Sequence, residues 1–524
     1  MPPPLTQQPV EPAPASRLDV RLVPAAIIAW AVTAAGIHWQ IGGPLAWGCV
    51  LVGVLAGVLP WCGGPFRRPT WTLVATAVAA GALTGAGFGW AVALRCESIA
   101  HHRITDQFGR TETVTVSPNA SAVTAGARRV MFRATLRRLD DADCSGQVVV
   151  FARADQLAEV VVGQPLTFRA KVAHPTRHDL SVAGLTVTGT VTRGEPSLVA
   201  RLAHRVRSRF AAAARQVLPD EQARMLPALV LGDTSAVSEQ TERDFRASGL
   251  THLMAVSGAN VTIVCGAVLF AARLVGPRIA VVLAAVALVA FVIVVQPTAS
   301  VLRAAMMGAI ALLGVLSARR RQGVPSLAAS VLGLLAVAPA LAVDVGFALS
   351  VIATAALILI APCWTARLVA RGWPRPLAAA ICVAWAANVV TAPLIAGISG
   401  RLSVVSTLAN LAVAALIAPI TVLGSAAALV CGGWPGAAQL LIRFTGPELW
   451  WVCRVAQGLG SAPTATVPVP AGPVGVAVVG GVAAAMVISW RWKPCRAISV
   501  MVVLCLLAFS AAGVLTAWAG VGAP

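Results

Sequence analysis

Long apolar runs separated by short arginine-bearing loops dominate the hydrophobic pattern of this chain. A helix needs about 20 apolar residues to cross the hydrocarbon of a bilayer. On that rule the first runs predict three spans near residues 24–41, 44–60 and 71–93. From residue 251 onward the runs predict a larger second set, with a break at Pro419 inside the stretch 403–432. We therefore expect a polytopic α-helical membrane protein with about 11–13 spans.

The pattern changes between residues 95 and 197, where polar and apolar residues alternate and long apolar runs are missing. Alternation with a period of two, bounded by Gly and Pro, is typical of short strands. The segments that show it are Thr111–Val116, Gln147–Ala152, Leu166–Val172 and Leu185–Val191. About a hundred residues of this kind predict a small barrel or sandwich, and we expect an OB-like β domain inserted between the two sets of spans.

These changes of pattern set the expected domain boundaries. The expected segments are a disordered cytoplasmic tail (1–23), three N-terminal spans (24–94), the OB-like domain (95–197), an amphipathic helix and Leu-Gly-Asp region (198–250), a transmembrane core (251–432), an amphipathic extracytoplasmic segment (433–470) and C-terminal spans (471–524).

Loop charges predict the sidedness of these spans. Lys and Arg are retained in cytoplasmic loops. Arginine and lysine clusters lie at 67–68, 319–321 and 491–496. All three fall on the cytoplasmic side if the N-terminus is cytoplasmic and the chain re-enters, or forms two short spans, at Pro419. The β domain is then extracytoplasmic, and we expect a multi-pass protein of the inner (plasma) membrane.

Composition excludes a soluble globular protein, because 58% of the residues are hydrophobic and only 11% are charged. A soluble domain carries roughly 25% charged residues. The 11 cysteines include no CxxC pair, so neither a metal site nor a cofactor is expected. Cys96 and Cys144 fall in the predicted outer domain, where they either form a disulfide or remain two thiols.

The net charge of +20 comes almost entirely from arginine. Part of it marks cytoplasmic loops, and part of it can attract a polyanion such as nucleic acid. Arginines interleave with apolar residues along 198–224, which predicts an amphipathic helix on a membrane surface or on the transmembrane core. Its candidate DNA-attracting surface residues are Arg201, Arg205, Arg207 and Arg209.

Polar residues inside apolar spans are expensive and therefore mark candidate sites. Asp233 ends one apolar run, and a spacing of three places Ser257 and Asn260 on one helical face with His252 turned away from it. Further candidates are Arg303, Asp344, Ser350, Asn388 and Asn410. A purely structural alternative is an ion pair between Arg303 and either Asp233 or Asp344.

Four of these motifs, in this order, resemble the ComEC family of competence membrane proteins. They are Leu231-Gly-Asp233 through Val256-Ser-Gly258, the Arg303-Ala-x-x-Met306 stretch, Asp344-x-Gly-Phe-x-Leu-Ser350, and the segment from Asn410 to Pro419. The resemblance covers roughly residues 198–432. It implies an inner-membrane channel that imports single-stranded DNA during natural transformation, with the polar span residues lining the path.

The resemblance also implies partners. We expect contact with single-stranded DNA and membrane lipid, a DNA receptor, a cytoplasmic ATPase or helicase, and possible homo-oligomers. Many family members carry a metallo-β-lactamase-like nuclease domain with an HxHxDH cluster, which this sequence does not contain. We therefore expect a form without that domain, no enzymatic activity, and a separate nuclease if any is used.

Two other functions use the same residues. A transporter or flippase for another solute or lipid would need the same polar lining with a different cargo. An intramembrane protease would use Ser257 with His252, or Asp233 with Asp344. Five residues along one helix rotate the Ser257 and His252 side chains about 140° apart, which is poor geometry for a catalytic dyad.

Overall fold

The computed structural model describes residues 19–58, 69–120, 123–124, 129–140, 142–156, 161–177, 179–316, 322–462 and 465–489. Most of the predicted tail, the charge clusters at 67–68, 319–321 and 491–496, and residues 490–524 of the predicted C-terminal spans lie outside these residues. The described residues form helices, apart from one β-barrel and one short two-stranded pairing.

The first three apolar runs form α1 (Val23–Trp39), α2 (Gly42–Val58) and α3 (Pro69–Ala100). These helices bury small side chains against one another, which lets their backbones approach closely. The alanines concerned are Ala29, Ala46, Ala82 and Ala86. Helix α3 continues six residues into the polar 95–197 region, which then forms strands.

Five strands of that region close into a barrel. The strands are β1 (Thr111–Pro118), β3 (Arg129–Leu139), β4 (Ala142–Arg153), β5 (Leu166–Ala173) and β6 (Ala183–Arg193), with the two-residue β2 (Val123–Thr124) added beside β3. Around the barrel the order is β1-β3-β4-β6-β5, and β5 pairs with β1 again. All pairings are antiparallel except β4 with β6, which is parallel.

Alternation explains which side chains fill the barrel. On β3, Phe132, Ala134 and Leu136 point inward and are buried, while Arg133 and Arg137 between them are exposed. The same period of two places Val148 and Val150 of β4 and Leu166, Phe168 and Ala170 of β5 in the core. The inward side chains form an apolar core separate from those of the helix bundle, and Ile99 of α3 packs against it.

Four helices follow the barrel before the next apolar run. They are α4 (Leu198–Val217), α5 (Asp220–Leu231), α6 (Glu239–Ala247) and the single turn α7 (Thr251–Met254). Ser197 caps α4 by accepting a hydrogen bond from the Ala200 amide. The amphipathic stretch therefore ends as one helix at Val217, and Pro219 separates it from α5.

The larger set of apolar runs forms the rest of the bundle. Its helices are α8 (Gly258–Ala272), α9 (Pro277–Val295), α10 (Ala299–Leu316), α11 (Gly323–Val337), α12 (Val345–Leu359), α13 (Ala361–Val369), α14 (Arg375–Ser399), α15 (Ser406–Val430), α16 (Pro435–Phe444), α17 (Gly446–Gly460) and α18 (Gly472–Ser489). Two short strands, β7 (Arg401–Ser403) and β8 (Thr466–Pro468), pair antiparallel.

Two large apolar groups hold most of these helices together. The first group joins α4–α10 with α15–α17. The second group joins α1, the end of α3, α11 and α12. Helix α10 contacts both, because Val301 and Ala304 belong to the first group while Leu302 and Met306 pack against the second. The surface of α10 therefore forms a seam between the two groups.

The expected break at Pro419 is wrong, because α15 runs without interruption from Ser406 to Val430 with the proline inside it. Membrane helices tolerate proline when neighbouring groups satisfy the freed backbone. The chain returns instead through α16 and α17, since β8 pairs with β7. Helix α18 thus starts from the edge where α14 ends, and it packs against α14.

Among the described residues, five helical segments are long and apolar enough to cross a membrane. They are Trp71–Gln107, Pro277–Val295, Val345–Val369, Arg375–Ser399 and Ser406–Val430. Six shorter apolar helices accompany them: Val23–Trp39, Gly42–Val58, Gly258–Ala272, Ala299–Val315, Gly323–Val337 and Gly472–Ala485.

Candidate functional site

Arg303 lies at the seam between the two apolar groups, one turn into α10. It is only 5% exposed, although its neighbours on α10 are apolar. Its Nε donates a hydrogen bond to Ser350 Oγ of α12 at 2.8 Å, and its Nη1 lies 3.3 Å from Met307 Sδ. Ser300 Oγ contacts the same Ser350 hydroxyl at 3.2 Å. A cation is therefore held by neutral groups in the interior of the bundle.

Helix α8 begins against this guanidinium. A Cβ added to Gly258 would lie 3.0 Å from Arg303 Nη2 and 3.2 Å from Ala304 Cβ, so any larger residue here would have to displace the guanidinium by a few tenths of an ångström. In the preceding residue, Ser257 Oγ donates to Asn260 Oδ1 at 3.4 Å. The structure thus places four of the predicted residues, Ser257, Asn260, Arg303 and Ser350, around one junction of α8, α10 and α12.

Asn260 has a second contact that fixes this junction to α5. Its Nδ2 donates to the Leu229 carbonyl at 3.1 Å, and the side chain is 3% exposed. The last carbonyls of a helix lack intrahelical partners. Asn260 therefore satisfies one of the free carbonyls at the end of α5, which ends at Gly232 in a left-handed conformation (φ 71°).

Asp233 follows that glycine and pairs with Arg207 of α4. The distance from Arg207 Nη2 to Asp233 Oδ2 is 3.5 Å. The prediction of Arg207 as a surface residue is wrong, because its side chain faces the interior of the first apolar group and is 9% exposed. Arg201, Arg205 and Arg209 are exposed as expected, and Arg209 Nη1 donates to the Gly432 carbonyl at 3.3 Å.

Asp344 caps α12 and contacts the barrel. Its Oδ1 accepts the Phe347 amide at 2.8 Å, and its Oδ2 lies 3.9 Å from Arg133 Nη1 of β3. The suggested ion pair between Arg303 and Asp233 or Asp344 is therefore wrong. Among the described residues, no carboxylate lies within ion-pair distance of Arg303.

The other polar span residues lie away from Arg303. Asn388 Nδ2 of α14 donates to Thr407 Oγ1 of α15 at 2.9 Å, which ties these two helices together. Asn410 Nδ2 donates to the Ser406 carbonyl at 2.8 Å within α15. His252 is exposed on α7. Whether these three side chains line a path stays a prediction.

The arrangement does not assemble either proposed protease site from the described residues. Ser257 Oγ bonds to Asn260 rather than to His252. Asp233 and Asp344 are engaged by different arginines, one from α4 and one from β3. In the described part of the chain no three His, Cys, Asp or Glu side chains group as metal ligands would.

Cys96 and Cys144 are both free thiols in the structure, so the disulfide alternative is not formed. Cys144 Sγ lies 3.4 Å from His102 Nε2, at the point where α3 enters the barrel. Burial raises the pKa of the Cys144 thiol, although the nearby Arg103 charge and the Ser145 backbone oppose that change. Cys96 packs instead against the second apolar group.

A basic pocket of about 290 Å³ separates the barrel from α4. No local sequence pattern reveals this pocket, because residues of the β4–β5 connection and of one face of α4 line it together. Its lining residues are Val161, Gln164, Pro196, Arg201, His204, Arg205 and Ser208. Two exposed arginines one helical turn apart therefore face the edge of the barrel.

Apolar helices of membrane-spanning length, a buried arginine at the seam between them and a barrel joined to them define a multi-pass membrane protein. Residues 229–494, just over half of the 524, match the competence protein family. The chain belongs to this family. All nine predicted span residues, but neither Arg133 nor Arg207, lie inside the matched region. Comparison with curated proteins and with solved structures gives no significant match.

Proposed function

We propose that this protein forms the inner-membrane channel through which single-stranded DNA enters the cytoplasm during natural transformation. Membership of the competence protein family supports a role in DNA uptake. The observation that carries the channel proposal is Arg303, a buried cation at the helix seam without a carboxylate partner among the described residues. An ionisable residue inside a membrane bundle marks a functional path when the fold does not neutralise it.

The sequence explains why the charge stays uncompensated. Between Asp244 and Glu448 the chain contains a single acidic residue, Asp344. That carboxylate caps α12 and faces Arg133. The seam therefore holds the buried Arg303 without a matching anion among the described residues. A phosphate that reaches the seam would supply the missing charge, and hydroxyls from Ser257, Ser300 and Ser350 would offer it further donors.

We propose that the barrel is an OB-like module on the outer side of the membrane. The strand order, with one parallel pair closing a five-stranded barrel, supports this assignment. OB folds bind single strands through aromatic stacking and cationic contacts. On the outward face of β3 and β4, Met131 lies opposite Phe151 and Arg129 lies opposite Arg153. This face offers one aromatic ring and two flanking cations.

The basic pocket between the barrel and α4 would continue that route. Arg201 and Arg205 face it, and they lead along α4 toward the buried Arg207 and the Leu-Gly-Asp turn. A strand leaving the barrel would thus meet cations at each turn of α4 before it reaches the bundle. The proposed order of contacts is barrel, basic pocket and then the α8–α10–α12 seam.

The remaining parts of the proposal concern orientation and partners. We propose a cytoplasmic N-terminus, since that places the arginine clusters of the loops in the cytoplasm. We also propose that the chain catalyses no reaction, because the sequence contains no HxHxDH metal cluster of the kind that the family's nuclease domain carries. Energy would come from a partner or a gradient, because the sequence contains no GxxxxGK[ST] phosphate loop. The protein, as a single copy or as a homo-oligomer, would then act with a DNA receptor, a cytoplasmic ATPase or helicase, and a separate nuclease.

Uptake of labelled DNA by cells that carry Arg303 variants tests the channel. A hydrogen bond to a charged group contributes about 1.5–3 kcal/mol, so Arg303→Gln should slow internalisation by about 10- to 150-fold. Surface-bound DNA and the amount of protein in the membrane should stay at wild-type levels. Arg303→Lys keeps the charge and should retain a measurable part of the uptake, because it loses only the fork geometry.

Arg273→Gln is the matched control, because Arg273 is an exposed arginine just after α8. It should take up DNA at the wild-type rate. Normal internalisation by Arg303→Gln cells, under conditions where wild-type uptake is clearly measurable, would contradict the channel. It would favour a transporter or flippase for a different anion. Loss of folded protein in both glutamine and lysine variants would assign Arg303 a structural role instead.

A further inference from the structure

Arg133 bridges the barrel and the helix bundle. Its side chain projects outward from β3, where it is about half exposed. Nη2 lies 3.6 Å from Asp179 Oδ2 of the β5–β6 connection, and Nη1 lies 3.9 Å from Asp344 Oδ2 at the start of α12. One guanidinium therefore contacts a carboxylate on each side of the boundary between the barrel and the membrane helices.

The next residue along the β5–β6 connection makes a second contact at the same boundary. Leu180 has a left-handed backbone conformation (φ 61°), which is rare for a branched apolar residue and costs free energy. Its side chain packs against the second apolar group, to which α1, α11 and α12 belong. The surrounding packing must hold this conformation in place. The connection thus docks the barrel onto the helices that Arg133 also reaches.

The docked end of α12 leads directly to the seam. Asp344 accepts the Phe347 amide, and the buried Phe347 ring packs edge-to-face on Trp30 of α1 with centroids 5.3 Å apart. Ser350, which accepts the Arg303 Nε hydrogen bond, is six residues after Asp344. At 1.5 Å per residue the two side chains are separated by about 9 Å along one helix. A shift at the start of α12 therefore reaches the Arg303 contact.

We propose that Arg133 is a latch between the barrel and α12, and that phosphates of a single strand bound on the outer face of β3 release it. A phosphate competes with Asp344 and Asp179 for the same exposed guanidinium. Release removes the ion pair from the start of α12 and loosens the Ser350–Arg303 contact. Binding at the barrel is thereby coupled to the polar seam. The release step rests on the proposed function, because it requires the barrel to bind a strand. The latch itself does not depend on that function.

Hydrogen–deuterium exchange of the full-length protein in lipid nanodiscs tests the latch without DNA. Arg133→Gln should speed exchange in peptides covering residues 174–182 and 343–350 by about two- to fivefold, the range expected for a partly exposed ion pair. Arg137→Gln is the matched control, since Arg137 is also exposed on β3, four residues away, and has no carboxylate partner among the described residues. Wild-type exchange in the Arg133→Gln protein would overturn the latch.

Two variants of Asp344 separate its ion pair from its capping role. Asp344→Asn keeps a side-chain acceptor for the Phe347 amide but removes the charge, so it should match Arg133→Gln in peptides covering residues 343–350. Asp344→Ala loses both interactions and should speed exchange of residues 343–350 further. If Asp344→Asn exchanges like wild type while Asp344→Ala does not, only the cap matters and the latch is wrong.

Addition of an oligothymidylate tests the release. Its binding is followed separately, by fluorescence anisotropy of the labelled oligonucleotide. With the oligonucleotide bound, wild type should show the same two- to fivefold faster exchange at 343–350. The Arg133→Gln protein should bind and show no further change. Binding without any change in wild-type exchange would overturn the release step. Failure to bind would overturn both release and the strand-binding role of the barrel, while leaving the comparison of variants without DNA intact.

Discussion

The ion pair between Arg207 and Asp233 is asymmetric, and the asymmetry predicts unequal effects of removing either partner. The Arg207 side chain is 9% exposed and the Asp233 side chain is 24% exposed. Asp233 also accepts hydrogen bonds from the Ser235 hydroxyl at 2.7 Å and the Ser235 amide at 3.3 Å. Arg207 Nη1, in contrast, is buried without a hydrogen-bond partner. Arg207 thus depends on Asp233 more than Asp233 depends on Arg207.

Asp233→Asn leaves a buried guanidinium without a counter-charge. Removing one partner of a buried pair costs about 3–5 kcal/mol, and partial exposure of Asp233 reduces the expected loss to about 2–4 kcal/mol. Arg207→Met removes the unpaired donor and leaves Asp233 with water and both Ser235 hydrogen bonds. Replacing buried charge with an apolar side chain of similar length should change stability by about 1 kcal/mol or less.

The pH dependence follows from the state of Asp233. Burial raises the pKa of this carboxyl, but the Ser235 hydrogen bonds and the Arg207 charge lower it further, so the net pKa is below the ordinary value of 3.8. A lowered folded-state pKa contributes stability above the unfolded value, and that stability is lost as pH falls through the folded value. The loss of unfolding free energy in Asp233→Asn, relative to wild type, should therefore be constant between about pH 5 and 8 and shrink only below about pH 4.

Unfolding of detergent-purified protein, followed by tryptophan fluorescence at several pH values, measures these differences. Asp220→Asn provides the control, because the Asp220–Arg224 pair has a similar distance of 3.9 Å but its carboxylate is 94% exposed. It should change stability by less than about 0.5 kcal/mol. Equal destabilisation by Asp233→Asn and Arg207→Met, or a deficit that changes between pH 5 and 8, would refute the assigned asymmetry.

Two further predictions concern the start of α8. Gly258→Ala should lower DNA internalisation at normal protein levels, because the new Cβ would lie 3.0 Å from Arg303 Nη2. The control Gly266→Ala, whose new Cβ has no atom within 4 Å, should leave uptake unchanged, and equal uptake by both variants would contradict the close contact. Asn260→Leu leaves the Leu229 carbonyl buried without a donor and should lower the free energy of unfolding by about 1–3 kcal/mol, whereas the exposed Thr262→Val should change it little, as measured by the same unfolding assay.

The local periodicity of apolar residues was sufficient to predict most of the helices and strands. Alternation predicted β1, β4, β5 and β6 within a few residues, but β3 was not predicted although Phe132, Ala134 and Leu136 alternate with polar residues in the same way. Its four arginines between 129 and 138 obscured a half-buried strand. The predicted break at Pro419 is wrong because a proline in sequence does not reveal the tertiary contacts that keep α15 continuous.

The candidate site was predictable in its residue types and not in its pairings. Ser257, Asn260, Arg303 and Ser350 stood out as polar residues in apolar runs, and the structure brings them to one junction. Their partners on other elements were hidden, because nothing local links Asp233 to Arg207 or a bundle residue to the barrel. A helical wheel of α4 offered one signal, since the Arg207 side chain points away from Arg201, Arg205 and Arg209, on the buried side.

The distribution of acids limits what can neutralise Arg303. Asp233 faces Arg207, and Asp344 faces Arg133 while it caps α12. No other acidic residue occurs between Asp244 and Glu448, so helices α8 to α16 contain no spare carboxylate in sequence. Rotamer changes within these helices would not bring an anion of the chain's own to the seam. A counter-charge for Arg303 must therefore come from outside these helices, and under the proposed function a phosphate of single-stranded DNA would supply it at the α8–α10–α12 junction.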